Sequence, residues 1–556
     1  MAFRTLYDLM RNSIERFADR VAFTMLDGEE VTFKEVGARV EDLQQKLTSA
    51  GLKPGDKVAL YSSSMPNWGI SYFAVTAAGM VIVAILPGFS GEEVAKILEH
   101  SESKALLVSD KLFSRIPKEA VESQNIVIRT KNLKVLSQRV EAQGATTIPQ
   151  PSDLASIIYT SGTTSSPKGV MHTQESLALH ADLCQKLFPI GEEDSFLSVL
   201  PMSHVYECSL GMIFPFSQGV PVFYLDRPPA VSTLLPAMKR VRPTVMLIVP
   251  LIVEKIYRNR VRAKFTGNKV MATLYHLAPI RKLLHKLAGK KLIEVFGGRL
   301  RFLGVGGAKL DYSTERFLLE AKFPLGIGYG LTETAPLLAG AVPPKREIGS
   351  TGPAVPYVEL RLDNINPKTG QGEVVAKTPC CMVGYYKNEE ATAEVIDADG
   401  WFHTGDLGQF DKEGRLHIKG RLKNMILGPG GENIYPEDIE CVMSELDCIE
   451  EALVTEQSGR LVAFVHFNAE QLERQIADWK ATWKTKQEAL EAKSKELCAE
   501  IQSYVNQKVN QFSHLAEVIE LKEEFIKTPS MKIRRFLYNN LKNLQQIKEG
   551  KGTVAM

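Results

Sequence analysis

The most informative stretch of the sequence runs from Ala155 to Gly169 and reads Ala-Ser-Ile-Ile-Tyr-Thr-Ser-Gly-Thr-Thr-Ser-Ser-Pro-Lys-Gly. Its apolar beginning, through Ile158, is typical of a buried strand. Five hydroxyl residues then surround a glycine between positions 160 and 165, and Lys168 follows. Hydroxyl groups, exposed backbone N–H groups and one cation are groups that bind a polyphosphate. The stretch is not a Walker A loop, because glycine follows Lys168 where that loop has serine or threonine.

Short apolar runs alternate with amphipathic stretches on both sides of this loop, up to about residue 420. The runs have the length of strands that are buried on both faces. Examples are Lys57–Tyr61, Ala105–Val108, Val245–Val249 and Leu300–Val305. Between such runs, apolar residues recur at spacings of three and four over residues 33–50, which predicts a helix. Strands that alternate with helices predict an α/β fold with largely parallel sheets.

Residues 62–91 carry no charge and are mostly apolar, so their length alone permits a membrane span. Polar and small residues interrupt the stretch, and Pro87-Gly88 ends it. We therefore predict a buried helix from Trp68 to Ala78, a turn at Gly79 and a buried strand from Met80 to Leu86.

The pattern changes at residues 420–431, where Gly-Arg-Leu-Lys-Asn is followed closely by Gly-Pro-Gly-Gly. A cluster of this kind is typical of a flexible connection. Beyond it the sequence predicts a helix (Pro436–Leu446) and two strands (Ala452–Glu456 and Arg460–Phe467). The predicted organisation is a large domain of layered α/β sheets at 1–420 and a small, mobile α+β domain at 421–556.

Residues 470–500 contain seven acidic and six basic residues, and their apolar residues recur at intervals close to a heptad. This pattern predicts a long amphipathic helix, inserted at about 470–510. Two interpretations stay open. The insertion packs on its own domain, or it forms a coiled coil through which the chain makes a homo-oligomer.

The segment 255–291 contains eleven Lys/Arg and no acidic residue, whereas the whole chain of 556 residues balances 67 basic against 65 acidic residues. The near-neutral total excludes a polycation that coats nucleic acid. Apolar residues recur at helical spacing within the segment. It is therefore either a solvated helical face or a basic amphipathic surface that contacts an anionic membrane.

The cysteine content favours a cytoplasmic location. There are seven cysteines, an odd number, and no Cys-x-x-Cys pair, so neither a disulfide framework nor a cysteine zinc site is indicated. The N-terminal residues 1–20 carry charges throughout and lack the apolar core of a signal peptide. Any membrane contact of the basic segment is then expected to be peripheral, at the inner face of the membrane.

Residues 159–169 resemble the signature of the adenylate-forming, or AMP-binding, superfamily, which includes acyl-CoA synthetases, luciferases and nonribosomal peptide adenylation domains. Further stretches resemble the other family motifs in order and extend the resemblance over essentially the whole chain. They are Leu200–His204, Gly328–Thr334, Trp401–Asp406, Lys419–Asn424 and Pro529–Arg535. Ser165 and Met531 stand where the family usually has glycine. Neither change removes a charged group, so we expect an active enzyme.

The resemblance implies that a carboxylate attacks the α-phosphorus of ATP, which gives an acyl-adenylate and pyrophosphate. Residues of the hydroxyl-rich loop would hold the β- and γ-phosphates: Thr160, Ser161, Gly162, Thr163, Thr164 and Lys168. Thr332 would bond the α-phosphate. Glu333 would help to hold Mg²⁺, a cation that prefers one or two carboxylates together with phosphate oxygens.

The same resemblance assigns the rest of the nucleotide site and the moving parts. Asp406 would accept from both ribose hydroxyls, and Arg421 would donate to the same sugar. Lys532 would bridge the carboxylate, the α-phosphate and a ribose oxygen in the transition state. Lys423 occupies the hinge position, and His204 the position that gates the acyl pocket. The adenine base would lie against Gly306, Gly307, Ala308 and Tyr329.

Within the superfamily, Gly430–Pro436 and the long basic segment resemble long-chain fatty acyl-CoA synthetases. The predicted function is therefore a fatty acid–CoA ligase that uses a fatty acid, ATP, Mg²⁺ and coenzyme A. An acyl–acyl carrier protein synthetase, or another acyl-AMP ligase, shares the adenylation motifs and is the alternative. A silent lipid-binding or scaffold protein is disfavoured, because the charged residues of the site are all present.

Overall fold

The computed structural model describes residues 3–160, 167–225, 227, 229–262, 265, 273–275, 277–344, 347–428, 433–446, 448–469, 472–473, 486–528, 532–539 and 541. The predictions for Ser161, Gly162, Thr163 and Thr164 lie outside the described residues.

The strands are numbered in chain order. They are β1 (Val21–Met25), β2 (Glu30–Thr32), β3 (Lys57–Tyr61), β4 (Val81–Ile85), β5 (Ser103–Val108), β6 (Ile126–Arg129), β7 (Lys134–Gln138), β8 (Leu154–Thr160), β9 (Lys168–Thr173), β10 (Phe196–Ser198), β11 (Val222–Tyr224), β12 (Val245–Ile248), β13 (Phe302–Val305), β14 (Leu325–Gly330), β15 (Leu337–Ala341), β16 (Glu359–Asp363), β17 (Gly372–Lys377), β18 (Gly384–Tyr385), β19 (Phe402–Phe410), β20 (Leu416–Arg421), β21 (Ile426–Leu427), β22 (Asn433–Ile434), β23 (Ile449–Gln457), β24 (Arg460–Phe467) and β25 (Glu517–Glu520).

The α-helices are numbered in the same way. They are α1 (Leu6–Phe17), α2 (Phe33–Ser49), α3 (Pro66–Ala77), α4 (Gly91–Ser101), α5 (Asp110–Phe113), α6 (Lys118–Glu122), α7 (Gln174–Leu187), α8 (Phe214–Ser217), α9 (Val231–Val241), α10 (Pro250–Tyr257), α11 (Ala278–Val295), α12 (Tyr312–Glu320), α13 (Glu389–Ala393), α14 (Pro436–Met443) and α15 (Lys486–Lys508).

Two eight-stranded sheets form the centre of the molecule. The strand order is β15-β14-β13-β12-β10-β11-β1-β2 in the first sheet and β18-β9-β8-β4-β3-β5-β6-β7 in the second. The inner strands of each sheet are parallel, and the antiparallel pairs lie towards the edges. The predicted α/β fold with largely parallel sheets is therefore confirmed.

Helices α1, α2, α3 and α7 share one apolar core with strands of both sheets. Helix α2 shows how the sequence encodes this layer. It begins after Thr32, whose hydroxyl accepts from the N–H of Glu35 while the Glu35 carboxylate accepts from the N–H of Thr32. The apolar residues at spacings of three and four are all buried, as the pattern predicts: Val36, Val40, Leu43 and Leu47.

The uncharged stretch 62–91 lies in the interior, where it forms α3, a turn and β4 close to the predicted bounds. Every residue of α3 is buried. Gly79 makes the turn with a φ of +75°, a conformation that favours glycine. Among the helices of the described residues, none is both long and apolar enough to cross a membrane.

Smaller sheets lie nearer the C-terminus. Strands β16, β17, β19 and β20 form one, β21 and β22 pair, and β23, β24 and β25 form a third. Helices α14 and α15 pack on the third sheet, with Leu497, Ile501 and Val505 of α15 buried in the shared core. The described part of the predicted insertion thus packs within its own α+β unit, although residues 474–485 lie outside the described set. The exact boundary at 420/421 stays a prediction.

The parts of the basic segment 255–291 that the structure describes have different surroundings, and residues 263–264, 266–272 and 276 lie outside the described set. Helix α10 ends within it and continues as a π-helix at Arg258–Arg262, and α11 begins only at Ala278. Lys255 Nζ lies 3.0 Å from Glu450 Oε1, and Arg262 donates to a backbone carbonyl of the same C-terminal unit. Lys255 and Arg262 at the start of the predicted lipid-facing surface therefore contact protein, in the part of the chain after residue 420 that we call the C-terminal unit. Among the described parts of the segment, α11 is the one that still fits the prediction.

Candidate active site

The predicted site residues follow strands of the first sheet at one edge. The carboxyl ends of β10, β12, β13 and β14 share this edge because the strands are parallel. The segments Leu200–His204, Gly306–Ala308 and Thr332–Thr334 follow β10, β13 and β14. Ligands of α/β proteins bind at this edge of the sheet. The topology alone therefore brings motifs together that are more than a hundred residues apart in the chain.

Asp406 is the centre of the predicted ribose site. Its side chain is buried, and its two oxygens are held by different neighbours. Arg421 Nε lies 2.8 Å from Asp406 Oδ1, and the Tyr329 hydroxyl donates to Asp406 Oδ2 over 2.7 Å. Burial raises the pKa of Asp406, and the Arg421 guanidinium opposes this rise. Each carboxylate oxygen can accept more than one hydrogen bond, so this arrangement still accommodates the two hydroxyls of a ribose.

Lys532 lies near enough to Asp406, Arg421 and Glu333 for their charges to act on its ammonium group, although it is 126 residues from Asp406 in the chain. We call the space between these side chains and the strand ends of the first sheet the cleft. The Lys532 side chain is exposed to solvent, but many protein atoms lie around it and remove part of its hydration. This partial desolvation and the neighbouring Arg421 lower the pKa of Lys532, against the opposing effect of Asp406 and Glu333. The C-terminal unit therefore brings one ammonium group within the electrostatic influence of two carboxylates, those of Asp406 and Glu333.

Glu333 lies in a short 3₁₀ turn at Thr332–Thr334, directly after β14. Its Oε1 accepts from the Tyr385 hydroxyl over 2.9 Å, and its backbone carbonyl accepts from the N–H of Met382 over 2.7 Å. Lys168 Nζ lies 4.8 Å from the centre of the Tyr385 ring. A loop after the first sheet and a strand of the second sheet therefore meet at one tyrosine.

The other side of this turn is fixed by a histidine. His172, in β9, is fully buried, and its Nε2 lies 2.7 Å from the carbonyl oxygen of Thr332. Burial lowers the pKa of His172 to about 4, so the imidazole is neutral near pH 7 and donates its one N–H to this carbonyl. The backbone of the Thr332–Thr334 turn is thus held from the second sheet.

The strand-end segment Gly306–Ala308 has the small residues that the sequence analysis assigns to the adenine. Gly306 is buried, and Gly307 and Ala308 are exposed to the cleft. A Cβ at Gly306 would lie 3.4 Å from the Tyr206 ring and 3.5 Å from the carbonyl oxygen of Gly328, so glycine leaves a flat space there. Gly307 has a φ of +85°, which favours glycine at this position.

His204 lies at the start of a buried helical segment, and its Nδ1 accepts from the N–H of Tyr206 over 3.2 Å. Burial and the positive charge of Lys532 lower the pKa of His204 to about 4. The chain then continues as a π-helix at Glu207–Ile213, a form that is frequent at functional sites. His204 therefore lies near Lys532 and directly before the segment that leads into the buried π-helix, and its role as a gate stays a prediction.

Lys423 lies in a 3₁₀ turn at Leu422–Asn424, directly after β20 ends at Arg421. It is exposed. The segment therefore places a surface lysine at the junction between the nucleotide cleft and the C-terminal unit.

The structure brings most of the predicted site residues into one cleft. Contacts or charge effects connect the following predicted residues around it: Lys168, His204, Gly306, Tyr329, Thr332, Glu333, Asp406, Arg421 and Lys532. Thr160 ends β8 beside this group, with its hydroxyl 3.4 Å from the carbonyl oxygen of Lys168.

Sequence reasoning missed Tyr385 and His172. Both are single residues without a charge at neutral pH, and neither lies in one of the recognised motifs. The Tyr-Tyr-Lys sequence at 385–387 and the His at 172 have no spacing that marks them. Their contacts arise where the two large sheets meet, because β18 and β9 belong to the second sheet whereas Thr332 and Glu333 follow β14 of the first.

A chelating cluster of three His, Cys, Asp or Glu side chains is not found among the described residues. The donor set at Glu333 instead fits a cation that shares its coordination with phosphate oxygens, since Mg²⁺ is commonly held by one or two carboxylates and a substrate phosphate.

Fold and site together define a nucleotide-binding α/β enzyme that has a second unit over its cleft. The sequence profile of the AMP-binding enzyme family matches residues 10–386. The chain belongs to this family.

Curated relatives match along most of the chain. Long chain acyl-CoA synthetase 1 of Arabidopsis thaliana is 29% identical, over 85% of this chain and 80% of its own. Fatty acyl-CoA synthetase B of Dictyostelium discoideum is 27% identical, over 89% and 80%. A chloroplastic long-chain-fatty-acid–[acyl-carrier-protein] ligase of Arabidopsis thaliana is also 27% identical, over 85% and 77%.

Solved structures share the whole architecture. The O-succinylbenzoate coenzyme A synthetase of Bacillus subtilis in complex with ATP and magnesium superposes with a TM-score of 0.74, at 22% identity, over 95% of this chain and 98% of that chain. An anthranilate CoA ligase in complex with anthranoyl-AMP gives a TM-score of 0.75 at 19% identity, over 99% and 98%. At these identities the likeness confirms the fold, including a large α/β part and a smaller C-terminal α+β part.

Proposed function

We propose that this AMP-forming acid–thiol ligase activates a long-chain fatty acid with ATP and transfers the acyl group to coenzyme A. In the first half-reaction the fatty acid carboxylate attacks the α-phosphorus, the bond to the bridging oxygen breaks, and pyrophosphate leaves. In the second, the thiol attacks the acyl carbon and AMP leaves. The observation that carries the proposal is the meeting of Lys532 with Asp406, Arg421 and Glu333 in one cleft.

Each residue has a role that follows from its chemistry. Asp406 accepts from the ribose hydroxyls, and Arg421 both neutralises that buried carboxylate and donates to the sugar. Thr332 donates its hydroxyl to the α-phosphate. Glu333 would hold Mg²⁺, which would supply positive charge to the phosphates. Lys168 and the hydroxyl-rich loop, with Thr160, bind the β- and γ-phosphates.

Lys532 acts on the reacting centre itself. Negative charge accumulates on the attacking carboxylate and the α-phosphate in the transition state, and an ammonium group held between them stabilises it. The lysine comes from the C-terminal unit, so adenylation requires that unit over the cleft. Its withdrawal would open a path for the thiol, with Lys423 at the hinge between 1–420 and 421–556.

The hinge is tested by Lys423→Pro, which fixes φ and impedes rotation of the backbone there. We expect near-normal pyrophosphate release and slow formation of acyl-CoA. Loss of adenylation with a normal thioester step would contradict a hinge at this residue.

The acyl substrate is inferred from the relatives, whose names include long chain acyl-CoA synthetases. The second candidate is a ligase that uses an acyl carrier protein, which is favoured by the similarity to the chloroplastic carrier-protein ligase. The deciding experiment offers the purified enzyme ATP, Mg²⁺ and fatty acids from short to very long chains. Pyrophosphate release identifies the acid, and parallel reactions with coenzyme A or holo-carrier protein identify the acceptor. Failure to release pyrophosphate with any fatty acid would refute the proposal.

We also propose that the enzyme works at the cytoplasmic face of an anionic membrane, through helix α11. Leu283 and Leu287 are 59% and 53% exposed, whereas the opposite side of the helix is buried at His285, Gly289 and Leu292. Exposed lysines surround them at Lys282, Lys286, Lys290 and Lys291. Apolar side chains between basic residues are the features by which a helix lies on an anionic bilayer.

A further inference from the structure

Tyr385 is pinned to the strand that carries Lys168. It ends β18, which pairs with β9 so that Tyr385 lies opposite Val170. The N–H of Tyr385 donates to the Thr392 hydroxyl over 2.9 Å, and the next residue, Tyr386, donates its N–H to the carbonyl oxygen of Gly169 over 2.8 Å. The backbone that presents the Tyr385 ring is therefore fixed on both sides.

The Tyr385 side chain contacts one proposed binding residue with its hydroxyl and another with its ring. The hydroxyl donates to Glu333 Oε1 over 2.9 Å, and the ring carries Lys168 Nζ 4.8 Å from its centre. Glu333 follows the first sheet, whereas Lys168 belongs to the second. The tyrosine therefore connects a carboxylate and an ammonium group that the rest of the fold supplies from separate sheets.

The two contacts leave both charged groups able to bind a ligand. A carboxylate has two oxygens, so a hydrogen bond to Oε1 orients Glu333 and keeps Oε2 available to a cation. An aromatic face attracts an ammonium group without neutralising its charge, so Lys168 keeps its positive charge for a phosphate. The side chain is only 8% exposed, so its hydroxyl needs a protein partner and the geometry is well defined.

We propose that Tyr385 is a positioning residue that sets the arrangement of Glu333 and Lys168 for the metal–nucleotide complex. This inference rests on the proposed roles of those two residues. A partner that orients a metal ligand typically changes metal affinity or activity by about 10- to 100-fold when it is removed. A tyrosine that serves only packing would contribute to stability and leave metal binding unchanged.

The test uses three single variants of the full chain. Tyr385→Phe removes the hydroxyl and keeps the ring under Lys168, and Tyr385→Leu removes both. Tyr386→Phe is the matched control, because that neighbouring tyrosine donates to the exposed Glu102 on the surface. Binding is measured without turnover, as Mn²⁺ affinity by electron paramagnetic resonance in the presence of α,β-methylene-ATP. Metal-free binding of the same nucleotide is measured by calorimetry.

We expect Tyr385→Phe to weaken Mn²⁺ binding by about 10- to 100-fold and to leave metal-free nucleotide binding close to wild type. Tyr385→Leu should additionally weaken metal-free nucleotide binding by about 2- to 10-fold, since the ammonium loses its aromatic support. Tyr386→Phe should match wild type in both measurements. Wild-type Mn²⁺ affinity in Tyr385→Phe would overturn the role of the hydroxyl. Equal metal-free affinities of the Phe and Leu variants would overturn the role of the ring.

A double variant separates an effect through Glu333 from a general disturbance. If the hydroxyl acts through this carboxylate, Tyr385→Phe should add little to the loss of Mn²⁺ affinity caused by Glu333→Gln. Full additivity would overturn the proposed connection. Absence of pyrophosphate release by the wild type with every fatty acid would instead refute the proposed function, while the Mn²⁺ titrations would still decide the role of Tyr385.

Discussion

Asp406 and Arg421 form an ion pair across neighbouring strands, with Arg421 Nε 2.8 Å from Asp406 Oδ1. The two residues lie directly opposite each other in the register of β19 and β20. Register alone therefore sets the pair, and the Tyr329 hydroxyl fixes the second carboxylate oxygen from the first sheet. Arg421 is also the last residue of β20 before the turn that contains Lys423. The contact that prepares the ribose site thus lies at the junction with the C-terminal unit.

The first prediction concerns this pair. Asp406→Asn keeps the shape and removes the charge that accepts from ribose. Hydrogen bonds to charged groups contribute about 1.5–3 kcal/mol, so we expect AMP and ATP to bind about 10- to 100-fold more weakly. Calorimetry with AMP measures this without turnover. A variant that binds AMP like wild type would contradict the ribose assignment. Asp363→Asn, at an exposed ion pair with Arg361 in the same small sheet, is the control.

The second prediction separates the half-reactions. Lys532→Ala should reduce adenylation by about 10²- to 10³-fold or more, as expected for removal of a charge that stabilises the transition state. Thioester formation from supplied acyl-adenylate should persist, because the proposed rotation of the C-terminal unit withdraws the lysine for that step. Single-turnover measurements of pyrophosphate release and of acyl-CoA formation give the two rates. An equal loss in both would refute the assignment.

The third prediction is a pH dependence. Burial and Arg421 lower the pKa of Lys532, so its ammonium loses its proton at a lower pH than an ordinary lysine does. Adenylation needs the charged form of Lys532. Its rate should therefore be full below this pKa and fall as the pH rises through it. Lys532→Arg keeps its charge to higher pH and should move the alkaline decline upward, at whatever rate it retains. A decline at the same pH in both enzymes would assign the titration to another group.

The sequence predicted the fold well where the spacing of apolar residues matches the face or segment that is buried. The uncharged residues 62–91 and the stripe from Val36 to Leu47 took the predicted forms, because a charge-free run and a spacing of three and four each have one good packing solution. The basic segment shows the opposite case. A run of basic residues has the same sequence pattern whether it faces solvent or another part of the protein. Lys255 and Arg262 contact groups of the C-terminal unit. Tertiary context decided between the two.

The sequence predicted those site residues that are charged and that lie within a family motif. Glu333 and Lys532 are marked by their neighbours in sequence, and the fold brings them together as expected. Tyr385 and His172 act on those motifs from 52 and 160 residues away, through one hydrogen bond each. No local pattern encodes such a contact, because it depends on how the two large sheets pack against each other.

The fourth prediction concerns an ion pair between the first sheet's strand-end segment and the C-terminal unit, which we expect to favour the closed arrangement. Lys309 Nζ lies 2.6 Å from Asp438 Oδ1, directly after the Gly306–Ala308 segment, and both side chains are nearly half exposed. Asp438→Lys should disfavour the closed arrangement, slow adenylation a few-fold and leave the thioester step unaffected or faster. The charge-swapped double variant, Lys309→Asp with Asp438→Lys, should restore adenylation. Single-turnover kinetics at low and high salt measure both steps. Failure of the swap to restore the rate would show that this pair does not hold the unit closed.

The last prediction places the enzyme on a membrane. Each basic residue near an anionic bilayer contributes about 1 kcal/mol of binding free energy, and salt screens this attraction. Binding of the wild type to anionic vesicles should therefore appear at low salt and fade at high salt. It should weaken when Lys282, Lys286, Lys290 and Lys291 are changed to Glu, and also when Leu283 and Leu287 are changed to Ser, because both sets are exposed on α11. Turnover of a soluble medium-chain acid should persist in both variants.

The control for net charge changes four exposed lysines elsewhere to Glu: Lys34, Lys111, Lys131 and Lys134. This variant has the same total charge as the α11 variant, so an effect of overall charge would weaken vesicle binding equally in both. We expect the control to bind anionic vesicles much more tightly than the α11 variant does. Neither variant should bind neutral vesicles. Sedimentation with vesicles that contain phosphatidylserine and with vesicles that lack anionic lipid measures the difference. Vesicle binding that is unchanged by salt and by the α11 substitutions would refute this surface, because electrostatic contact through α11 must weaken with either change.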